Sequence, residues 1–218
     1  MNKIRINEIF SSMQGGSLFS GVICTFIRFT GCNIKCSYCD TSYAREVGDF
    51  WTIDEILKKV KECDNKVVVI TGGEPLLQDK EARSLSNILL DEDYTVLLET
   101  NGTFSLKPWQ GPDNNLFNVI KIMDIKCPFS GHESDLKNIE YLAGDEIRFV
   151  IKDKVDYDYA KKILKEYEVL ISKESISVLF SPVWGDDQFR NNLAQWILND
   201  KLKGVRYQLE LHKLLDIK

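Results

Sequence analysis

Short apolar runs alternate with segments of helical periodicity along most of this chain. The series opens with an apolar run over 22–29, a helical segment over 53–60 and a second apolar run over 67–70. A helical segment over 82–90 and an apolar run over 96–98 follow. Short apolar runs separated by helices are typical of parallel strands with helices packed outside them. The pattern therefore predicts an α/β fold with a mostly parallel sheet.

The same alternation continues through the second half of the chain. Thr52 and Glu55 form a capping-box pattern, which predicts a helix that begins beside Thr52. A chain of 218 residues can bury one sizeable core, so we expect a single domain over residues 1–218. The further predicted elements are strands over 119–125, 147–151, 176–180 and 205–211, with helices over 157–167 and 191–198.

Charge and hydropathy exclude several classes of partner. The chain has 28 basic and 33 acidic side chains, a formal net charge of −5, which offers no basic surface for nucleic acid. Charged residues interrupt the apolar residues of the N-terminal segment, unlike a signal peptide. No apolar run approaches the length that spans a membrane. We expect a cytoplasmic protein that binds neither nucleic acid nor membrane.

Three cysteines, Cys32, Cys36 and Cys39, follow the first predicted strand within one short loop. Thiolates are soft ligands that suit iron–sulfur clusters and zinc. Structural zinc normally takes four protein ligands, and no fourth cysteine or histidine lies near this loop. Three ligands on a [4Fe–4S] cluster leave one iron open to the amino and carboxylate groups of a methionine moiety. We interpret the loop as a cluster site that cleaves S-adenosylmethionine.

Two other interpretations of the loop stay open. A zinc site could be completed by a distant Cys63, Cys127 or histidine, and a plain electron-transfer cluster would also need these thiolates. Cys24, Cys63 and Cys127 are scattered among apolar or helical residues, so we expect them to be structural.

A Gly-Gly-Glu-Pro turn follows the next predicted strand. Thr71 ends the strand, and Gly72 and Gly73 leave the backbone open to a ligand because they lack side chains. Glu74 adds an acceptor for an ammonium group. Together these residues can hold the zwitterionic end of an amino acid.

The cysteine loop followed by this turn resembles the radical S-adenosylmethionine enzymes, over about residues 22–180. The resemblance implies a partial (β/α) barrel with the [4Fe–4S] cluster at its open end. It also implies S-adenosylmethionine as cofactor and flavodoxin or ferredoxin as the source of electrons.

Several segments are similar to 7-carboxy-7-deazaguanine synthases in particular. These segments are 7–16, 26–33, 39–41, 99–102 and 211–213. The resemblance implies that 6-carboxy-5,6,7,8-tetrahydropterin becomes 7-carboxy-7-deazaguanine with loss of ammonia, in queuosine-type tRNA base synthesis. A homodimer is implied in the same way.

The resemblance also implies roles for individual residues. Arg28 is chemically suited to a substrate carboxylate, because a guanidinium can donate two parallel hydrogen bonds to it. Asp124 stands where related chains often have serine, and its carboxylate can accept from ribose hydroxyls. The implied substrate residues are Met13, Gln14, Gly15, Arg28 and Thr71, with Glu99 and His212 lining the pocket and Thr41 binding Mg²⁺. The implied S-adenosylmethionine contacts are Gly72, Gly73, Glu74, Asp124, Ile125, Lys126, Ser181, Pro182, Val183 and Trp184.

Two positions depart from the family pattern. This chain has Gly16-Ser17 where the glutamine-glycine loop usually continues with Glu-Gly, so a charged group near the pterin is missing. It also has Lys218 where related chains place an apolar or proline residue near the substrate.

Two rival functions share part of the pattern. A glycyl-radical-enzyme activase has a similarly short core and the same cysteine spacing, whereas the Gln14-Gly15 loop and Arg28 suit a small anionic substrate. An iron–sulfur electron carrier or a zinc-stabilised binding module has little need of the Gly-Gly-Glu turn.

Overall fold

The strands and helices that the sequence predicts are all present in the predicted order, together with two strands and two short helices that it does not predict. The computed structural model describes residues 3–110, 115–185 and 187–218. The strands are β1 (Lys3–Met13), β2 (Ile23–Phe29), β3 (Asp49–Thr52), β4 (Val67–Gly72), β5 (Thr95–Thr100), β6 (Ile120–Ile125), β7 (Glu146–Ile151), β8 (Ser177–Pro182) and β9 (Val205–Tyr207). The helices are α1 (Ile53–Cys63), α2 (Asp79–Asp91), α3 (Lys154–Glu166), α4 (Glu168–Lys173), α5 (Asp187–Asn199) and α6 (Leu211–Leu214).

All nine described strands belong to one sheet, in the order β3-β1-β2-β4-β5-β6-β7-β8-β9. From β2 and β4 onward to β9 the neighbours are parallel, whereas β1 is antiparallel to both β2 and β3. β3 and β9 are the two edges, so the sheet is not closed. The predicted partial (β/α) barrel is confirmed.

The two faces of the parallel strands differ in character. One face packs into the main core with apolar residues of the helices, such as Ile56 of α1 and Leu85 of α2. The other face holds a smaller apolar cluster of Cys24, Phe26, Val69, Leu97 and Ile122. Side chains alternate along a strand, so residues two positions further on share this inner face. Those residues are polar: Arg28, Thr71, Glu99 and Asp124.

The start of α1 confirms the predicted capping box. The Thr52 hydroxyl accepts a hydrogen bond from the Glu55 backbone N–H, and the Glu55 carboxylate accepts from the Thr52 N–H at 2.7 Å. These two bonds satisfy amides that the first turn of a helix leaves unpaired.

Five elements differ from the prediction: β9 is shorter, and β1, β3, α4 and α6 were not predicted. The strand predicted over 205–211 is wrong beyond Tyr207, because the chain turns into α6 at Leu211, whose N–H donates to the Gly15 carbonyl at 3.0 Å. β1 and β3 were not predicted, because charged or polar residues interrupt the apolar residues of both segments. The two strands form the antiparallel edge of the sheet.

The described helices are too short or too polar to cross a membrane. The longest, α2, α3 and α5, have 13 residues each. A spanning helix needs about 20 consecutive, mostly apolar residues.

Candidate active site

A cavity of about 440 Å³ opens at the carboxyl ends of the parallel strands, above the inner apolar cluster. Ligands of parallel α/β folds bind at this end of the sheet. Most of the predicted site residues line it: Met13, Gln14, Gly15, Arg28, Cys32, Cys36, Cys39, Thr41, Thr71, Gly72, Gly73, Glu99, Asp124, Lys126, Ser181, Val183, Trp184 and His212.

The cysteine loop leaves β2 and packs against the end of β4. The Glu74 N–H donates to the Gly31 carbonyl at 2.8 Å, and the Cys39 N–H donates to the Cys36 carbonyl at 3.3 Å. A Cβ at Gly73 would lie 2.3 Å from the Gly31 oxygen and 2.7 Å from Cys32 Cβ. Gly73 is therefore needed for the close approach of the two loops, besides lining the cavity.

Burial is the largest influence on two of the loop thiols, and it raises the pKa of both Cys32 and Cys36. Neighbouring cysteines raise both pKa values further, because a second negative charge nearby disfavours the thiolate. The Lys126 ammonium acts in the opposite sense on Cys36. A cationic side chain thus stands beside the loop, where thiolate ligands would carry negative charge.

Glu99 joins three strands at the floor of the cavity. One of its carboxylate oxygens accepts a hydrogen bond from the Gln14 amide at 3.0 Å, and the other accepts from the Thr71 hydroxyl at 2.9 Å. The Gln14 side-chain oxygen accepts from the Gly16 N–H at 2.9 Å, which shapes the loop after β1. The predicted substrate residues Gln14, Thr71 and Glu99 therefore form one connected group.

Arg28 lines the cavity and forms an ion pair with Glu8. Its Nε donates to Glu8 at 2.8 Å, and the two side chains are 12% and 16% exposed. Its guanidinium carbon lies 5.7 Å from the ring centre of Phe10 and 5.9 Å from that of Tyr43. These contacts fix the direction of the guanidinium.

Asp124 forms a buried charge network with Arg148 and Lys126. Arg148 Nε lies 2.6 Å from one carboxylate oxygen, and Lys126 Nζ lies 3.0 Å from the other. Burial acts to raise the pKa of Asp124, but the two cations outweigh it and lower that pKa to about 2. Asp124 is therefore ionised and able to accept further hydrogen bonds.

The C-terminal segment closes over the loop after β1. Lys213 bridges Asp40 and Glu210, at 2.6 Å and 2.7 Å. His212 lines the cavity beside Gly15, and burial is the main reason that its pKa lies below the ordinary value. Lys218 also lines the cavity and pairs with Glu8.

Comparison with known proteins decides the family. A model of the radical SAM superfamily matches residues 26–109. A 7-carboxy-7-deazaguanine synthase of Koribacter versatilis is 36% identical over 97% of this chain and 96% of its own length. One of Chlorobaculum tepidum is 40% identical over 97% of this chain and 94% of its own length. The chain belongs to the 7-carboxy-7-deazaguanine synthase family.

Solved structures show the same fold. The crystal structure of QueE from Escherichia coli aligns with a TM-score of 0.77 at 21% identity, covering 96% of this chain and 95% of that one. A radical SAM methyltransferase from Sphaerobacter thermophilus aligns with a TM-score of 0.54 at 16% identity, covering 85% of this chain and 66% of that one.

A [4Fe–4S] cluster and S-adenosylmethionine are the cofactors of this radical SAM family, and the donor set of the cysteine loop fits the cluster. Cys32, Cys36 and Cys39 all line the cavity. Of the groups considered for completing a zinc site, Cys63 lies at the end of α1, Cys127 is fully buried elsewhere, and His132 Nε2 accepts from the Lys35 N–H at 2.9 Å. The other histidine, His212, lines the cavity but lies beside Gly15, in a group with Asp40 and Glu210. The loop therefore presents three thiols, the number that leaves one iron open.

Three predicted S-adenosylmethionine contacts in this family member lie behind the cavity wall. The Glu74 side chain is fully buried, and it accepts from the Asn101 N–H at 2.7 Å and from the Thr100 hydroxyl and the Leu76 N–H, both at 2.9 Å. Its carboxylate ties β4 to β5, so a contact with the cofactor would have to use its backbone. Ile125 and Pro182 are also buried outside the lining.

Sequence reasoning missed several lining residues of this family member. Arg148 is the most central of them, because it pairs with Asp124. Side chains alternate along β7, so Arg148 shares a face with Glu146 and Val150, opposite Ile147 and Phe149. This alternation was the sequence signal that could have identified it. Other missed lining residues are Tyr38, Asp40, Asn101, Glu210 and Lys213.

Proposed function

We propose that this protein is a radical S-adenosylmethionine enzyme that converts 6-carboxy-5,6,7,8-tetrahydropterin to 7-carboxy-7-deazaguanine with release of ammonia. The observation that carries the proposal is the meeting of two groups in one cavity. The three thiols of the cysteine loop line it together with the connected group of Gln14, Thr71 and Glu99. Synthases named for this product match nearly the whole chain.

The cysteine side of the cavity holds the cofactors. When bound, the cluster would supply the electron for reductive cleavage of S-adenosylmethionine and so the radical chemistry at the substrate. Cys32, Cys36 and Cys39 hold the cluster, and backbone groups at Gly72 and Gly73 face the methionine end. The ionised carboxylate of Asp124 accepts hydrogen bonds from ribose hydroxyls, and Ser181, Val183 and Trp184 border the adenosyl group.

The opposite side of the cavity binds the substrate. Arg28 clasps its carboxylate, and the fixed direction of the guanidinium limits the poses available to it. Glu99 accepts hydrogen bonds from N–H groups of the pterin ring, while Gln14 and Thr71 hold the carboxylate of Glu99 in place. Met13, Gly15 and His212 complete the wall.

Five further properties belong to the proposal. Thr41, which lines the cavity beside Asp40, supplies a hydroxyl to Mg²⁺ together with substrate oxygens. Flavodoxin or ferredoxin reduces the cluster. The protein forms a homodimer and works in the cytoplasm, and its residues 1–218 act as one domain.

The decisive experiment uses anaerobically reconstituted, dithionite-reduced protein with S-adenosylmethionine and the carboxypterin, with and without Mg²⁺. We expect 7-carboxy-7-deazaguanine and 5′-deoxyadenosine by mass spectrometry. Cys36→Ala should abolish both, whereas Cys63→Ala, outside the cavity, should retain both. Formation of 5′-deoxyadenosine without the deazaguanine would overturn the substrate and leave an activase or another radical enzyme. Neither product from protein with an intact cluster would overturn the enzyme assignment.

A further inference from the structure

Arg148 links two walls of the cavity that otherwise belong to different parts of the chain. Its Nε donates to Asp124 at 2.6 Å, on the adenosyl side. Its Nη1 donates to the Gly16 carbonyl at 2.9 Å, in the loop after β1. The side chain is 16% exposed and lines the cavity. Among the described residues, it is the side chain that bonds both Asp124 and this loop.

Gly16 is the residue that lets Arg148 take this position. A Cβ built on Gly16 would lie 2.7 Å from Nη1, so any side chain there would press on the guanidinium. Gly16 and Arg148 are therefore one structural unit, in which the glycine admits the arginine that holds its carbonyl.

The neighbouring bonds show what Arg148 adds to the loop. Gln14 accepts from the Gly16 N–H at 2.9 Å, and Glu146 accepts from the Leu18 N–H at 3.1 Å. The first bond lies within the loop, and the second ties the loop to β7. Arg148 alone among these side chains carries the connection on to Asp124, because a planar guanidinium can donate in two directions at once.

The charge of Arg148 also fits this place. Burial lowers the pKa of its guanidinium, but Asp124, Glu99 and Glu210 raise it more, so the net pKa lies above the ordinary value. The side chain keeps its charge at every pH at which the enzyme can work. Titration of Arg148 therefore does not break its ion pair with Asp124.

We propose that Arg148, in contact with Gly16, is a positioning residue that fixes the loop after β1 relative to the cavity wall at Asp124. The inference rests on the proposed function, in which the loop after β1 binds the pterin and Asp124 borders the adenosyl group. Loss of the link lets the two walls move separately. The radical then forms at the wrong distance from the substrate hydrogen.

The first test compares Arg148→Gln and Arg148→Lys with Lys121→Gln. Lys121 is a matched control, because it is a buried cation 4% exposed that pairs with Asp145 at 3.1 Å and does not line the cavity. Both Arg148 variants should raise KM for the pterin at least ~tenfold and raise the ratio of 5′-deoxyadenosine to deazaguanine. Iron content should stay at the wild-type level. Lys121→Gln should leave KM and the product ratio unchanged, and a ratio unchanged in Arg148→Gln would overturn the proposal.

A second test measures the link without catalysis. Hydrogen exchange of the peptide over 14–20 in the cluster-loaded protein should be faster in Arg148→Gln and in Gly16→Ala than in the wild type or Lys121→Gln. The double variant should exchange no faster than Arg148→Gln alone, since both changes break one contact. Additive effects would overturn the pairing. If the wild type makes no deazaguanine yet exchange behaves as expected, the proposed function fails while the link between Gly16 and Arg148 stands.

Discussion

Lys213 Nζ lies 2.6 Å from a carboxylate oxygen of Asp40, the residue that follows the third cysteine of the loop. The same ammonium lies 2.7 Å from Glu210, and Leu211 donates to the Gly15 carbonyl. The C-terminal segment is therefore tied both to the cysteine loop and to the loop after β1. Its residues complete the cavity because these two ties hold it there.

Lys213→Gln should weaken substrate binding more than stability. The Asp40 side chain is 48% exposed, and ion pairs that open to water contribute at most about 1 kcal/mol to the free energy of unfolding. The segment also places His212, so KM for the pterin should rise several-fold. Steady-state kinetics and thermal unfolding measure the two effects. Lys61→Gln breaks an exposed pair with Glu92 outside the cavity, and equal kinetic effects of both variants would contradict this role.

Arg28→Gln should remove the preference for a carboxylated substrate. Truncating one partner of a buried charge pair costs about 2–5 kcal/mol, so KM for the carboxypterin should rise at least ~30-fold. The measurement compares the carboxypterin with the same pterin lacking its carboxylate, as an inhibitor of wild type and variant. The variant should bind the two equally. Glu8→Gln, which removes the charge that pairs with Arg28 and Lys218 but leaves the Arg28 guanidinium in place, should keep the preference.

Gly73→Ala should impair cluster loading. The added methyl group would lie 2.3 Å from the Gly31 oxygen and 2.7 Å from Cys32 Cβ, so the cysteine loop must move. Iron and sulfide per chain after reconstitution should fall well below the wild-type values. Gly144→Ala is the matched control: its φ of +69° costs ~1 kcal/mol in backbone strain, but nothing lies within 4 Å of the new methyl group. Equal iron contents of the two variants would refute the steric explanation.

Glu146 should make stability depend on pH. Burial is the largest influence and raises its pKa from 4.5 to about 7, although the Leu18 N–H acts to lower it. A folded-state pKa above the unfolded one means that the contribution is fully present below about pH 4.5 and is lost as the pH rises through about 7. The wild type should therefore lose on the order of 2–3 kcal/mol of unfolding free energy relative to Glu146→Gln over this range.

Urea unfolding of the two proteins at several pH values across this window measures that difference. Glu74, whose pKa burial also raises to about 7, titrates in both proteins and cancels in the comparison. A difference that is constant with pH would show that Glu146 does not change its protonation in this range.

The sequence by itself determined the class of fold and named the candidate cluster site. The three cysteines and the Gly-Gly-Glu turn lie in short loops, and strand and helix periods are local properties of the chain, so spacing and hydropathy reveal them. The helix start at Thr52 was predictable for the same reason, because a capping box involves residues only three positions apart.

Only the tertiary structure decided which polar residues meet. Arg148 and Gly16 are 132 positions apart, and Lys213 reaches Asp40 from the far end of the chain. Glu74 follows a glycine pair that opens the backbone, yet its carboxylate is buried against β5. These outcomes depend on the order of the strands and on how far the sheet curls round. Long-range contacts across the inner face of an open barrel leave no local pattern in the sequence. The sequence therefore identifies candidate site residues, and the tertiary structure determines which of them are in contact.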